Sequence, residues 1–495
     1  MRRGIRIAFE WIGNGLPALV TFSVKVGRKR LGRFLRLLDT DANNISTSMF
    51  EKPLPVEMRE RVGCGAREAA GDHYRNDVPV VAVSSCPLGG TKLRTLIVLL
   101  SCLWSVTSTL NATSTWPPAW PGTKLYCSPN GSGSGTSTNS PCSVSYGLSH
   151  TTSGNTLVFM DGDYNGEISV GTSGITLGAL HKWKARIRNP NGGSFTSGIS
   201  VYPNGTHNVT LDGFYVTDCP ANGISLFGPS NTVRNCWVTH CATGGYNGPP
   251  NWGGGYGIYG KSQDYNVVDK CLVEYCGSVP SYDQAIYVGG KGVEVRNNVV
   301  RYNAAFGIQL NVFSGIVDQC KVYNNLCYSN AVLGGNAYEF AIDSDSSTGA
   351  GINYFYGNTF LSRSGTASYI NNAVVCLTNN IIRGVNYTGS YGSVRSGNNL
   401  NNPASSNFVN PAKGLFWLTS GSSARGAAKT SICGPADFFG TTQSSVSDIG
   451  AFQYNGAYTT DSRVLGPSVA YPDYWLSLTA TINPEPPQNL RVVQR

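Results

Sequence analysis

The chain has 495 residues, 60 of them Gly and 26 Tyr, and only 13% are charged. That balance points to an all-β chain and away from a helical cytosolic one, and the length is ample for a buried core. The formal charge of +9 does not mark a nucleic-acid binder: 16 Lys and Arg and 9 acids precede Thr95, leaving 21 against 19 in the remainder.

Residues 1–90 carry basic clusters such as Arg28-Lys29-Arg30 and bear no relation to the rest of the chain. They read as a disordered or wrongly translated extension, the other reading being a basic helix over 27–38. Residues 91–112 read as a signal peptide: Lys92 and Arg94, then the apolar run Leu96 to Val106, then small polar residues through Ala112. The run is too short to span a bilayer. The expectation is therefore a secreted protein, extracellular, periplasmic or at the cell surface, translated from near Lys92. Residues 113–155 read as a linker and an N-terminal cap. Within them Cys127 and Cys142 flank a Gly/Ser loop, where a disulfide is expected to restrain the cap.

Residues 156–385 carry a repeat. A small residue followed by Ile recurs at Gly198-Ile199, Gly223-Ile224, Gly257-Ile258, Ala285-Ile286 and Gly307-Ile308, with starts 25, 34, 28 and 22 residues apart. A second phrase comes after each: Leu211 to Val216, Val233 to Val238, Val268 to Val273, Val295 to Val300 and Val317 to Val322. Two alternating β-type runs per repeat, with no 3.6-residue period, predict an all-β right-handed parallel β-helix, a single-stranded solenoid of about eight to ten coils. Aligning the second phrase gives one column, Phe214, Cys236, Cys271, Asn298 and Cys320, continued at Asn358 and Asn380. Three residues after each closing Val stands another: Cys219, Cys241, Cys276, Asn303 and Asn325. Strands stacked about 4.8 Å apart place such residues above one another, Asn bonding along the stack and Cys filling it as a reduced apolar residue.

Residues 386–456 are expected to supply last coils and a cap, and 457–495 a tail. Tyr126-Cys-Ser-Pro-Asn-Gly-Ser132, Gly162-Asp-Tyr-Asn-Gly166 and Asp448-Ile-Gly-Ala-Phe-Gln-Tyr454 resemble the opening and closing motifs of secreted pectate-lyase-like right-handed β-helix proteins. The resemblance covers about residues 124–454 and implies the fold. Its implied activity is broad, since one fold carries many reactions.

Chemistry is expected on the outward stripe of the Gly-Ile strands: Ser200, Ser225, Tyr259, Tyr287, Gln309 and Asp343, and two residues further on Tyr202, Phe227, Lys261, Gly289, Asn311 and Asp345. The insertion from Thr243 to Tyr256, with Tyr246 and Trp252, is read as a wall beside it. The resemblance implies a lyase that cleaves a uronate-containing polysaccharide by β-elimination. Lys261 is the first choice of base, with Tyr259 and Tyr287 next. Gln309, Asn311, Trp252, Tyr256 and Gln284 are the substrate-binding candidates, and Asp283, Asp343 and Asp345 the candidate ligands of a Ca²⁺ ion. Asp283-Gln284-Ala285 stands where similar chains carry His-Gly, and no compact Asp-Asp run is present. Two alternatives stay open. One is a glycoside hydrolase using paired carboxylates such as Asp343 and Asp345. The other is a non-catalytic glycan-binding or surface-structural β-helix. In each reading the partner is a polysaccharide, with no nucleic acid and no membrane span, and the chain acts as a monomer.

Overall fold

The computed structural model describes residues 4–13, 16–25, 116–246, 254–334, 338–344, 351–388, 392–429, 436–438 and 447–454. The apolar run of 91–112, Trp252, Asp345 and the tail lie outside them. The chain divides into two compact units, Met1–Cys102 and Leu103–Arg495. In the first, strand Gly4–Gly13 pairs antiparallel with Leu16–Lys25.

The second unit is a stack of coils with three strand positions each. The first column of parallel strands runs from Lys124–Cys127 through Val267–Asp269 to Ser393–Gly397 and forms an 11-stranded sheet. The second runs from Gly162–Asn165 through Trp237–Cys241, and the third from Ile168–Val170 through Tyr256–Gly260. Both pair with the 13-residue strand Thr359–Asn371, so they count as one 17-stranded sheet. Ile199, Ile224, Ile258, Ile286 and Ile308 pair in register in the third column and are fully buried. Each such side chain contributes about 1.5–3 kcal/mol by leaving water, which is why the Gly-Ile phrase sets the register.

The bends explain the columns. Between the first and second columns a residue in the left-handed region turns the chain: Asn235 (φ 55°), Lys270 (55°), Asn297 (56°), Asn324 (54°) and Asn379 (57°). Asn adopts that conformation more cheaply than most side chains. The next residue then points inward, giving Cys236, Cys271, Asn298, Asn325, Asn358 and Asn380, all fully buried. The amides form a ladder: Asn298 Nδ2 donates to Asn325 Oδ1 (3.0 Å), Asn325 to Asn358 (3.0 Å), Asn358 to Asn380 (2.9 Å) and Asn380 to Asn399 (3.0 Å). Each Nδ2 also reaches a carbonyl of the preceding coil, as Asn298 does to Val268 O at 3.0 Å. In the cysteine coils the thiol takes over that second bond, Cys271 Sγ donating to Val233 O at 3.6 Å.

Two alignments change. Val322, not Val317, pairs with Val295, so Asn325 comes after Asn298 in the ladder. Cys320 belongs to a different file, before the first column, where its N–H donates to Asn353 Oδ1 at 3.1 Å. In the other bend Asn303 succeeds Cys276 and donates to Asn330, not Asn325, at 2.8 Å. The buried carboxyl of Glu339 closes this second ladder, accepting from Asn330 Nδ2 at 2.6 Å.

The expected bridge between Cys127 and Cys142 is not made. The two occupy facing positions on neighbouring strands, both buried and free, and Cys142 Sγ turns to Tyr126 O at 3.3 Å. The short helix Val144–His150 comes next, started by Ser143 Oγ accepting from Tyr146 N, and Leu148 packs on the coil interior. At the other end, after strand Leu400–Asn401, the chain folds back over the outer face of the second column. There Phe408, Phe416, Trp417, Phe438, Ile449 and Phe452 bury Trp237, Tyr302 and Tyr328. The expected cap thus covers a sheet face. Asp448 anchors it by accepting from Gly426 N at 2.7 Å, and Ala451 N donates to Thr359 Oγ1 at 3.1 Å.

Candidate functional site

The outer face of the third column carries two rows of aligned side chains. Ser200, Ser225, Tyr259, Tyr287 and Gln309 stack in register, and the next member is Ala341. Asp343 instead pairs with Asn311, and beyond it stands Asn371. Asp343 therefore takes the place expected for Asp345.

The rings form a continuous strip. Ring centroids are 5.8 Å apart for Tyr202 and Phe227, 5.8 Å for Phe227 and Tyr259, and 6.1 Å for Tyr259 and Tyr287. Tyr256, at the start of the same strand as Tyr259, closes the cluster at 5.0 Å from Tyr259 and 4.7 Å from Tyr287. Neighbouring aromatic pairs of this kind contribute about 0.5–1.5 kcal/mol each beyond the area they bury. Lys261, one residue past the strand, lies at its edge with Nζ 4.2 Å from the Phe313 ring centre and 5.3 Å from that of Tyr287. Burial lowers the lysine pKa, and the Asp343 carboxylate partly opposes this. Burial pushes the Tyr259 hydroxyl up to about 12, and raises Tyr287 too, with Tyr256, Tyr259 and Asp343 adding to the shift. Both phenols stay protonated at neutral pH.

A cleft of about 530 Å³ opens on this strip, lined by Glu167, Ser169, Phe195, Ser200, Tyr202, Asn222, Phe227, Gly254, Tyr256, Tyr259 and Phe313. Gln284 pairs with Tyr256 and Gln309 with Tyr287. Both amides are more than nine-tenths buried, and their Oε1 atoms have no hydrogen-bond partner.

The structure therefore brings together Lys261, Tyr259, Tyr287, Tyr256, Gln284 and Gln309, with Asn311 and Asp343 further along the same face. Asn311 Nδ2 donates to Asp343 Oδ2 at 3.2 Å, and Asn371 Nδ2 donates to Oδ1 at 2.8 Å. Asp283 is not with them. Fully buried at a turn, its Oδ2 accepts from Ser278 N at 2.5 Å and Val279 N at 2.7 Å, which is loop-holding work. Of the acids expected to hold Ca²⁺, Asp283 and Asp343 are held by separate sets of partners and Asp345 lies outside the described residues; among the described residues no group of three His, Cys, Asp or Glu side chains is placed to hold a metal. Phe195, Phe313 and Glu167 are additions; Phe313, two residues past Asn311, continues that row's alternation into the turn.

A family profile described as "Right handed beta helix region" matches residues 183–345. No curated protein matches the chain in sequence. Among solved structures, pectate lyase Pel9A is similar at 17% identity and TM-score 0.48, over 67% of this chain and 96% of its own. An alginate lyase from Paenibacillus sp. str. FPU-7 is similar at 16% and TM-score 0.33, over 56% and 98%. A pectin methylesterase in complex with a hexasaccharide is similar at 8% and TM-score 0.25, over 52% and 79%. No helix among the described residues is long and apolar enough to cross a membrane. With its ladders in register and this profile across its central coils, the chain folds as a right-handed parallel β-helix.

Proposed function

We propose that the third-column groove binds an extended, uronate-containing polysaccharide outside the cytoplasm and cleaves it by β-elimination. The observation that carries this reading is Lys261: a half-buried amine at the edge of an aromatic strip, with its pKa lowered by burial. Rings of the strip stack on sugar faces, and the amides of Gln309 and Asn311 bind sugar hydroxyls and the uronate carboxylate. Neutral Lys261 takes the proton on the carbon next to that carboxylate. The electron pair forms the new double bond as the bond to the glycosidic oxygen breaks, and a proton from the Tyr259 or Tyr287 hydroxyl passes to the leaving oxygen. A phenol raised to about 12 is a proton donor, not a base, at neutral pH. Tyr259 is thus better suited to the acid role than to the base role expected from sequence.

One observation favours a second reading. The ammonium of Lys261 lies over two rings, an arrangement that stabilises its charged form and suits glycan binding without catalysis. The test is a panel of uronate polysaccharides read for unsaturated product in the ultraviolet, with Lys261→Ala alongside. Product from the wild type and none from the variant supports the lyase. Binding without product supports the second reading, and full activity in the variant removes Lys261 from the chemistry.

A further inference from the structure

The charge of the groove says more than its shape. Along the two rows of the third column and the cleft lining, Lys261 is the one basic side chain among the described residues, against the acids Glu167 and Asp343. Gly254 and Tyr256, which line the cleft, add no charge to it. Three cations elsewhere in these coils are paired: Arg186 with Asp163, Arg188 with Asp218 at 2.8 Å, and the fully buried Arg301 with Glu274 at 2.7 Å. What the cleft offers instead is apolar ring surface. Phe195 is 77% exposed and Phe313 67%, the most exposed of the large hydrophobic side chains among the described residues.

A fully ionised polyuronate brings one carboxylate per sugar. In this groove one of them is held by the amides of Gln309 and Asn311 beside Lys261, while the rest meet rings and two carboxylates and lose hydration without gaining a partner. Rings, in contrast, suit sugars whose polar groups are uncharged. We propose that the groove selects a sparsely charged glycan, one whose sugars are mostly neutral or carboxyl-esterified, with a single free uronate placed at Lys261. This rests on the third-column groove being the glycan site, and it narrows the substrate class from uronate polymers in general to those with few free carboxylates.

The test is the affinity of the full-length chain for a polyuronate and for the same polymer partly methyl-esterified, at low and moderate salt. Tighter binding of the esterified polymer at low salt, by roughly tenfold or more, is expected. Salt should narrow the gap by screening. Glu167→Gln, which removes one of the two acids, should raise affinity for the polyuronate by a larger factor than for the ester. If the polyuronate binds as tightly or more tightly, with affinity falling steeply as salt rises, the sparse-charge inference is overturned while the groove reading stands. If neither polymer binds, the groove reading falls and this inference falls with it.

Discussion

At the scale of single residues, Lys261 and Glu339 are both perturbed by burial, with opposite consequences. The groove amine works as a base only when neutral. Product formation should therefore rise with pH through a limb below the ordinary lysine value of 10.5, because burial lowers the Lys261 pKa. Lys261→Ala should remove that limb and cost roughly 10²–10⁴-fold in rate, with little change in melting temperature. Glu339 carries no expected role in the groove. Its carboxyl is fully buried, and desolvation raises its pKa to about 8 from 4.5. Between those values the folded chain holds a proton that the unfolded chain has released, so stability falls as pH rises through the window and levels off above it. The loss should amount to a few kcal/mol at most. Melting temperatures across that range should show the decline in the wild type, and Glu339→Gln should flatten it.

At the scale of elements, the asparagine ladder is the repeating unit of stability. Asn325 Oδ1 accepts from both Asn298 N and Asn298 Nδ2 at 3.0 Å, and its own amide reaches Val295 O at 2.8 Å. Asn325→Ala strands these buried groups and should cost about 2–4 kcal/mol in denaturant unfolding. Asn298→Cys should cost less, because Cys271 already fills the neighbouring place in the same file. Much of this unit was legible from sequence, since Gly-Ile phrases and Cys/Asn files report directly on which residue must be small, inward or left-handed. Two slips mark the limit of that reading. The runs Val317 to Val322 and Val322 to Cys327 share a residue and nearly a pattern. Only packing shows that Asn325 joins Asn298. Asp343 slipped by two residues because Phe340, not Ile342, pairs with Ile308. A two-residue shift preserves which side chains face out, so alternation is blind to it. Phe195 and Glu167 were not legible, because they reach the groove from turns of other coils.

At the scale of the whole molecule, the β-helix has a groove on its third column and a covering segment over its second. The covering segment is structural: Phe452, 2% exposed, stands 5.2 Å from Phe438 ring to ring. Phe452→Ala should cost about 3–5 kcal/mol and expose the aromatic face around Trp237, seen as increased dye binding and self-association. The groove is the functional face we propose, and amide hydrogen exchange on adding a partly esterified oligouronide tests that most directly. Slowed exchange in Tyr256–Gly260, Gln284–Val288 and Ile308–Asn311 is predicted. Slowed exchange around Tyr265, Lys321 and Tyr354 on the first column instead, or no change anywhere, would contradict it.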